Sequence, residues 1–450
     1  MDLKEIFADK KVTVMGLGLL GRGIGDAAYL AEMGAEVVVT DLKNEVDLHD
    51  SVKQLQQFEN ITFVLGEHRV EDFRGRDYIL VAAGVPMHSV YLEHAREAGI
   101  PLKQSAAWFA ELSKVPIIGV TGTRGKSTVT HMIHHVLSEV TGEKILLGGN
   151  VRGVSNLQLL KEVREDSLCV MELDSWQLQG FGWAKLSPQV AVFTNFMEDH
   201  LNYYQAGGKS KEEAMQQYFA DKANIFRYQD ESGVFITTPE VFEQAKQLTG
   251  VSIGQEVILA DASVIPEDSL LAMPGEHNRL NAALAYEALL ALSVTEEEIF
   301  VGLASFPGVP GRLEYLGERD GIKIYNDNNA TTPQATIQGL RAVGSIDDKN
   351  VILIAGGAFK GIDSAELLTE IPKYCKQVVL LPGTGTDSIK GTLRAKVYET
   401  MEEAVKVGLA YGKSGDILLF SPGFASFGLF KNEYERNDQF IQCLNQVEEE

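Results

Sequence analysis

The sequence predicts an α/β protein of three domains, each organised on a parallel sheet. Three observations carry that reading. Short apolar, β-branched runs alternate with longer helical stretches, as they do in chains of βαβ units. The alternation falls into three separate series along 450 residues, a length that suits about three domains with cores of their own. Glycine-rich turns follow the first strand of the first two series, where a strand hands over to a helix.

The first series has strands over Lys11–Met15, Glu36–Thr40 and Tyr78–Ala83, separated by helical patterns such as Ile24–Met33. The second opens at Val115–Val120 and runs through Lys144–Leu147, Leu168–Leu173 and Gln189–Thr194 into a charged, helix-rich stretch. The third begins near Gly321–Tyr325 and repeats at Val351–Ala355, Gln377–Leu381, Ala395–Tyr398 and Ile417–Phe420. Leu112–Pro116 and Phe306–Arg312 carry Pro or Gly and read as linkers, which divides the chain into 1–110, 111–309 and 310–450.

Composition excludes several classes. Lys and Arg number 40 against 63 Asp and Glu, and a net charge of −23 opposes the counterion release on which nucleic-acid binding depends. No apolar run reaches the roughly 18 to 20 residues of a membrane span, and MDLKEIFADK lacks the apolar region of a signal peptide. A cytoplasmic chain without membrane partners is expected. Cys169, Cys375 and Cys443 are odd in number, far apart and without CxxC spacing, so they read as reduced, buried packing residues. Nothing in the pattern calls for an obligate interface, so a monomer is expected.

The first glycine turn, Gly16-Leu17-Gly18-Leu19-Leu20-Gly21, stands between KVTVM and a helix. Its glycines permit a tight turn and let backbone N–H groups approach a diphosphate at the positive end of the helix. Asp41 ends the second strand, twenty residues after Gly21, where a ribose-binding acid is expected. The first domain is therefore Rossmann-like and takes some nucleotide diphosphate.

The second domain opens with IIGVTGTRGKST, a P-loop of the ATPase type. Backbone amides over Gly122, Thr123, Arg124 and Gly125 cradle phosphates, Lys126 bridges the outer phosphate oxygens, and the hydroxyl of Ser127, beside Thr128, can ligate Mg²⁺. Val120 stands where the strict pattern has Gly, yet the remaining GxxGKST still implies ATP or GTP. Two further strand ends, at Glu172 in VMELDSWQ and at Thr194-Asn-Phe-Met-Glu198-Asp199-His200, are polar. Carboxyl ends of strands form the ligand crevice of an open parallel sheet, so both clusters should face the loop and Glu172 and His200 become candidate Mg²⁺ ligands. His131, His134 and His135 read as structural.

TGTRGKST, ELDSWQL, NFMEDHL, GEHNRLN, PGVPGRLEY, YNDNNATTP and SPGFASFGLFKNEYERNDQF, in this order across the chain, resemble the Mur ligases, most of all the D-glutamate-adding branch. That resemblance implies a Rossmann-like C-terminal domain and an ATP-dependent amide ligase of peptidoglycan precursor synthesis that works through an acyl phosphate. It implies UDP-N-acetylmuramoyl-L-alanine as one substrate, its uridine diphosphate near Gly18, Leu19, Leu20, Asp41 and Leu42, its muramoyl part near Asn150 and Gln177. Lys126 would bind the phosphates, Ser127 and Glu172 one Mg²⁺, and His200 a second, together with a carbamoylated Lys222. Asn278 and Asn281 would sit by the nucleotide, and Arg312 and Asp327 would close over ATP. Thr331, Lys360, Ser426 and Phe427 would receive D-glutamate. Lys126, Arg312 and Lys360 are then expected to line one cleft, with His200 and Lys222 completing the catalytic set.

Four departures from the family pattern bear on this. Asn328-Asn329 replaces a Ser-Lys pair, losing a cation near the phosphates. Asp174 and Trp176 stand in the Glu-Leu-Ser-Ser-Phe-Gln motif, Phe359 precedes Lys360 where a small or acidic residue is commoner, and GGKSKEE looks like an inserted loop before Lys222. Two readings from other classes compete. A nicotinamide-dependent dehydrogenase leaves the P-loop without purpose, and a nucleotide-gated switch has no need of GEHNRLN or a third domain. Among related ligases, the absence of a DNPR-like signature favours D-glutamate over other amino acids.

Overall fold

The computed structural model describes residues 3–18, 21–142, 144–248, 253–266, 271 and 273–446. The chain forms two compact units, Met1–Asp261 with Ala283–Gly302, and Ala262–Ala282 with Leu303–Glu450.

The first unit holds two sheets. The N-terminal one comprises β1 (Lys11–Met15), β2 (Glu36–Asp41), β3 (Ile61–Leu65), β4 (Tyr78–Val81) and β5 (Leu102–Lys103), all parallel in the order β3-β2-β1-β4-β5. The second comprises β6 (Ile117–Thr121), β7 (Ile145–Gly149), β8 (Leu168–Glu172), β9 (Val190–Phe193), β10 (Val234–Thr237) and β11 (Glu256–Leu259), again parallel, in the order β11-β10-β9-β6-β8-β7. β6 and β9 are buried along their whole length, as strands covered on both faces must be. Phe7, Trp108, Leu146, Leu157, Met171 and Phe193 belong to one continuous apolar core that both sheets share. The helix Ser105–Ser113 carries Trp108 into that core.

The second unit holds β12 (Glu314–Arg319), β13 (Ile322–Asn326), β14 (Val351–Ala355), β15 (Cys375–Leu380), β16 (Lys396–Val397) and β17 (Ile417–Phe420), in the order β12-β13-β17-β14-β15-β16. Side-chain alternation divides its core by face: Leu353 and Leu419 pack on one side, Ile352, Ile354, Leu418 and Phe420 on the other. One edge strand of this otherwise parallel sheet runs the other way. β12 pairs antiparallel with β13, because Asp320 and Gly321 both take positive φ, 51° and 78°, and close a two-residue hairpin. An Asp-Gly turn was the available signal. β3, β5, β10 and β11 are likewise strands that the apolar pattern did not single out: β5 has two residues, and β11 is largely exposed.

Two smaller expectations are also corrected. Only Cys169 is buried, while Cys375, which opens β15, and Cys443, on the outer helix Glu433–Gln446, are partly exposed. The stretch GGKSKEE is not all loop: the Ser210 hydroxyl accepts from Glu213 N at 3.2 Å and the Glu213 carboxylate accepts from Ser210 N at 2.8 Å, a reciprocal cap that starts the helix Lys211–Lys222. Among the described residues no helix is long and apolar enough to cross a membrane.

The helix Arg22–Glu32, which follows the first glycine turn, docks on the segment after β7 through residues of one face. The buried carboxylate of Asp26 accepts from Ser155 Oγ at 2.6 Å and Leu157 N at 3.2 Å, and Gly25 O accepts from Gln158 Nε2 at 3.1 Å. At the far end Lys161 pairs with Glu32. Asp26→Ala is expected to leave two donors unpaired and lower stability by about 2 kcal/mol, whereas Glu32→Ala, at an exposed pair, changes it by less than about 0.5 kcal/mol. Denaturant midpoints of the two variants compare them directly.

Candidate active site

β8, β6 and β9 are neighbours, so their carboxyl ends meet at the turn that follows β6. Gly122 must be glycine there: its φ is 145°, and a Cβ would stand 1.9 Å from Thr194 Oγ1 at the end of β9. Asn195 braces the turn from the same strand end, its carbonyl accepting from Thr123 N at 2.9 Å and its side-chain oxygen from Arg124 N at 2.9 Å. Thr194 Oγ1 donates to Arg124 O. Lys126, the first residue of the helix Lys126–Thr141, donates to Thr123 O at 3.2 Å and so lies folded over the turn, with Thr128 buried behind it.

From the β8 side, Glu172 is buried and held on both oxygens. Ser127 Oγ donates to Oε2 at 2.5 Å and Asn150 Nδ2 to Oε1 at 3.2 Å. Asp174 caps the helix Ser175–Ala184 in a reciprocal pair with Gln177, whose side-chain oxygen accepts from Asp174 N at 3.2 Å. The Asp174 departure thus has a local cause, and the Gln177 oxygen is engaged by the cap. Trp176 packs against His200 with ring centroids 4.6 Å apart and planes tilted by 55°, and meets Tyr203 edge-on. Burial lowers the pKa of His200, with Lys126 and Lys222 adding to it against the pull of Asp199 and Asp174, so the ring is neutral near pH 7 and keeps a lone pair for a ligand.

Lys222 is 1% exposed and enters beneath the turn, donating to Gly122 O at 2.7 Å and Thr121 Oγ1 at 3.3 Å and lying over the Tyr218 ring. Burial, and then Lys126, hold its pKa well below that of a free lysine, opposed by Asp174, Asp199 and Glu172. An amphipathic-helix lysine is ordinarily solvated, so no physical reading of the sequence pointed to this position.

At the N-terminal sheet, Asp41 does not stand open for a ribose. Its carboxylate accepts from Leu17 N at 2.9 Å, Gly18 N at 3.3 Å and Lys43 N at 2.9 Å, so it shapes the glycine turn. Leu42 is 68% exposed beside it. Leu19 and Leu20 lie outside the described residues.

The second unit gathers another set at the carboxyl ends of the adjacent strands β13, β17 and β14. Ala358 and Ala425 exchange backbone hydrogen bonds, and Gly423 N donates to Ala330 O at 2.8 Å. Lys360 Nζ donates to Thr331 Oγ1 at 3.0 Å, Ser426 is buried nearby in sequence to Ala425, and Phe427 and Phe359 are exposed. Asp327 accepts from Leu313 N at 3.1 Å and Ser421 Oγ at 2.8 Å. Asn278 Nδ2 donates to Pro274 O at 2.9 Å, and Asn281 Nδ2 to Asn278 Oδ1 at 3.2 Å. Arg436, which sequence reasoning missed, is fully buried and donates to Asn328 Oδ1 and Asn328 O, both at 2.8 Å, and to Phe424 O at 3.1 Å. The loop carrying Asn328-Asn329 thus receives a guanidinium from the helix Glu433–Gln446.

Three family models match the chain in succession: a Mur ligase MurD-like N-terminal domain over residues 10–103, a Mur ligase middle domain over 120–255 and a Mur ligase glutamate ligase domain over 311–424. The UDP-N-acetylmuramoylalanine–D-glutamate ligase of Roseiflexus sp. (strain RS-1) is 35% identical, the match covering 97% of this chain and 98% of that one. The enzyme of the same name from Acetivibrio thermocellus is 31% identical over 99% of this chain and 98% of its own. Among solved structures, the UDP-N-acetylmuramate-alanine ligase MurC of Thermotoga maritima aligns with a TM-score of 0.61 and 19% identity, covering 97% of this chain and all of that one. The MurF ligase of Thermotoga maritima, solved in complex with ADP, aligns at 0.58 and 16% over 99% of this chain and 98% of its own. Identities this low speak for the fold.

Asp327 sets a pH dependence. Burial raises its pKa to about 7, against the opposing hydrogen bonds of Ser421 and Leu313 and the charge of Arg312. The unfolded chain loses this proton near pH 4 and the folded one near pH 7, so stability declines as pH rises through that window, by up to roughly 4 kcal/mol. Asp327→Asn is expected to flatten the decline; chemical-denaturation midpoints of both proteins from about pH 4 to pH 8 measure it, and parallel curves would exclude the effect.

Proposed function

The chain belongs to the Mur ligase family, and from that membership we propose that it joins D-glutamate to UDP-N-acetylmuramoyl-L-alanine, driven by ATP, in peptidoglycan precursor synthesis. One arrangement carries the reading: Lys126, Ser127 and Glu172 converge on a phosphate-type turn in a chain that matches D-glutamate ligases along nearly its whole length.

A carboxylate is a poor electrophile because its oxygens are anionic. Attack of one such oxygen on the γ-phosphorus of ATP releases ADP and leaves an acyl phosphate; the D-glutamate amine then adds to the carbonyl carbon, and the tetrahedral intermediate expels phosphate as it loses its proton. The backbone amides of the turn and the Lys126 ammonium hold the phosphate charge in the first step. Asn195 takes the Thr123 and Arg124 N–H groups and Thr194 donates to Arg124 O, contacts that fix the shape of the turn and the placement of Lys126 without reorganisation. Lys360 and Thr331 answer the carboxylate of the incoming amino acid.

The donor set suits Mg²⁺. Ser127 Oγ and the Glu172 carboxylate are hard oxygens 2.5 Å apart, and among the described residues there is no group of three or more His, Cys, Asp or Glu that would form a complete protein cage. Mg²⁺ binds in just this way, through one or two carboxylates and otherwise water and substrate phosphate. When bound it neutralises charge on the transferring group. A second ion fits neutral His200 together with Lys222 once that amine carries CO₂, a reaction that needs the uncharged nitrogen its burial supports. The protein acts as a monomer in the cytoplasm on small anionic substrates, with neither nucleic acid nor membrane as partner.

Protein, ATP, Mg²⁺ and UDP-N-acetylmuramoyl-L-alanine are expected to release ADP only when D-glutamate is added. Equal turnover with L-lysine, diaminopimelate or L-alanine would remove the D-glutamate assignment. Lys126→Ala is expected to lower kcat by about 100-fold or more. With isotope-labelled bicarbonate, the native protein should give a carbamate resonance that Lys222→Ala lacks; its absence from active native protein would remove the second-ion role of Lys222.

A further inference from the structure

Arg22 is the residue immediately after the first glycine turn and the first of the helix Arg22–Glu32. Its Nη1 donates to Asn150 Oδ1. A guanidinium only donates, so this contact decides which way the Asn150 amide faces: oxygen toward Arg22, amino group toward Glu172 Oε1. The main chain of Asn150 is pinned too, its N–H donating to Glu172 O at 2.7 Å. The other Glu172 oxygen receives Ser127 Oγ. An unbroken line of hydrogen bonds therefore runs from the first sheet's glycine turn to the Ser127–Glu172 pair at the second sheet's phosphate turn. The helix that carries Arg22 is anchored independently, by Asp26 to Ser155 and Leu157 and by Glu32 to Lys161.

We propose that Arg22 is a positioning residue, setting the orientation of Asn150 and through it the Glu172 carboxylate, so that the divalent-cation site depends on a side chain of the helix that follows the first glycine turn. The inference rests on the ligase reading for the cation's purpose, and on geometry alone for the link. Without Arg22 the Asn150 amide turns freely. Half of its orientations bring a carbonyl oxygen against a carboxylate, and Oε1 loses the donor that holds it. Partners that orient metal-binding carboxylates are worth about 10- to 100-fold in affinity, and Arg22 acts one hydrogen bond further out, so roughly three- to tenfold is expected.

The test measures Mn²⁺ binding to the full-length protein by electron paramagnetic resonance, with no substrate present. Arg22→Met keeps the aliphatic stem and removes the donors; Arg22→Ala carries the same measurement if the Met variant does not fold. Both are expected to weaken Mn²⁺ binding by about three- to tenfold. Arg22→Lys, which restores a donor, should recover part of it, and Lys161→Ala, which removes the partner of Glu32 at the far end of the Arg22–Glu32 helix, should leave it within about twofold. In the ligase assay the half-saturating Mg²⁺ should rise in parallel. Equal Mn²⁺ affinity in native and Arg22→Met protein, or an equal loss in Lys161→Ala, would overturn the proposal. Weakened Mn²⁺ binding in a protein that makes no ADP with D-glutamate would sink the ligase assignment while leaving the positioning role supported.

Discussion

The geometry of the first unit depends on one close approach. At Gly122 the chain leaves β6 so near the end of β9 that Thr194 Oγ1 occupies the place a Cβ would need. That contact lets Asn195 reach the turn with both its main chain and its side chain, and it brings Lys126 and Ser127 to the head of a sixteen-residue helix. Glu172 meets Ser127 only because β8 is the neighbour of β6 on the other side. A side chain at 122 would separate β9 from the turn, and Thr123 N and Arg124 N would lose the Asn195 partners that hold the turn in shape.

The same neighbourhood concentrates charge in a protein whose net balance is −23. Lys126 stands close enough to Lys222 to lower its pKa, and burial of Lys222 lowers it further, favouring the uncharged amine. Asp174, Asp199 and Glu172 oppose that shift without reversing it. Long-range repulsion of anionic substrates by the acidic surface is screened within roughly 8 Å at physiological salt, so local groups decide what the turn attracts.

Much of this was legible in the chain. The phosphate turn, its Lys and Ser, and the strand-end acid Glu172 announce themselves because glycine spacing and apolar runs report directly on backbone geometry. Other features were not. Lys222 looks like any exposed helical lysine, and Arg436 like any charge on a terminal helix, yet both are buried. Asp41 reads as a ligand-facing acid, and it instead shapes the turn beside it. The hairpin at Asp320-Gly321 adds an antiparallel edge strand that the series of apolar runs did not include.

The sequence by itself determined the α/β class, the three series of strands, the phosphate turn and the likeness to amide ligases, since these rest on local spacing and on motifs read in order. Only the tertiary structure decided which side chains share a hydrogen bond across long stretches of chain: Ser127 with Glu172, Lys222 with Gly122, Arg22 with Asn150, Arg436 with Asn328. Strand order sets those pairings. A periodic pattern says that a strand exists, but the neighbour it takes in the sheet depends on how the whole core packs.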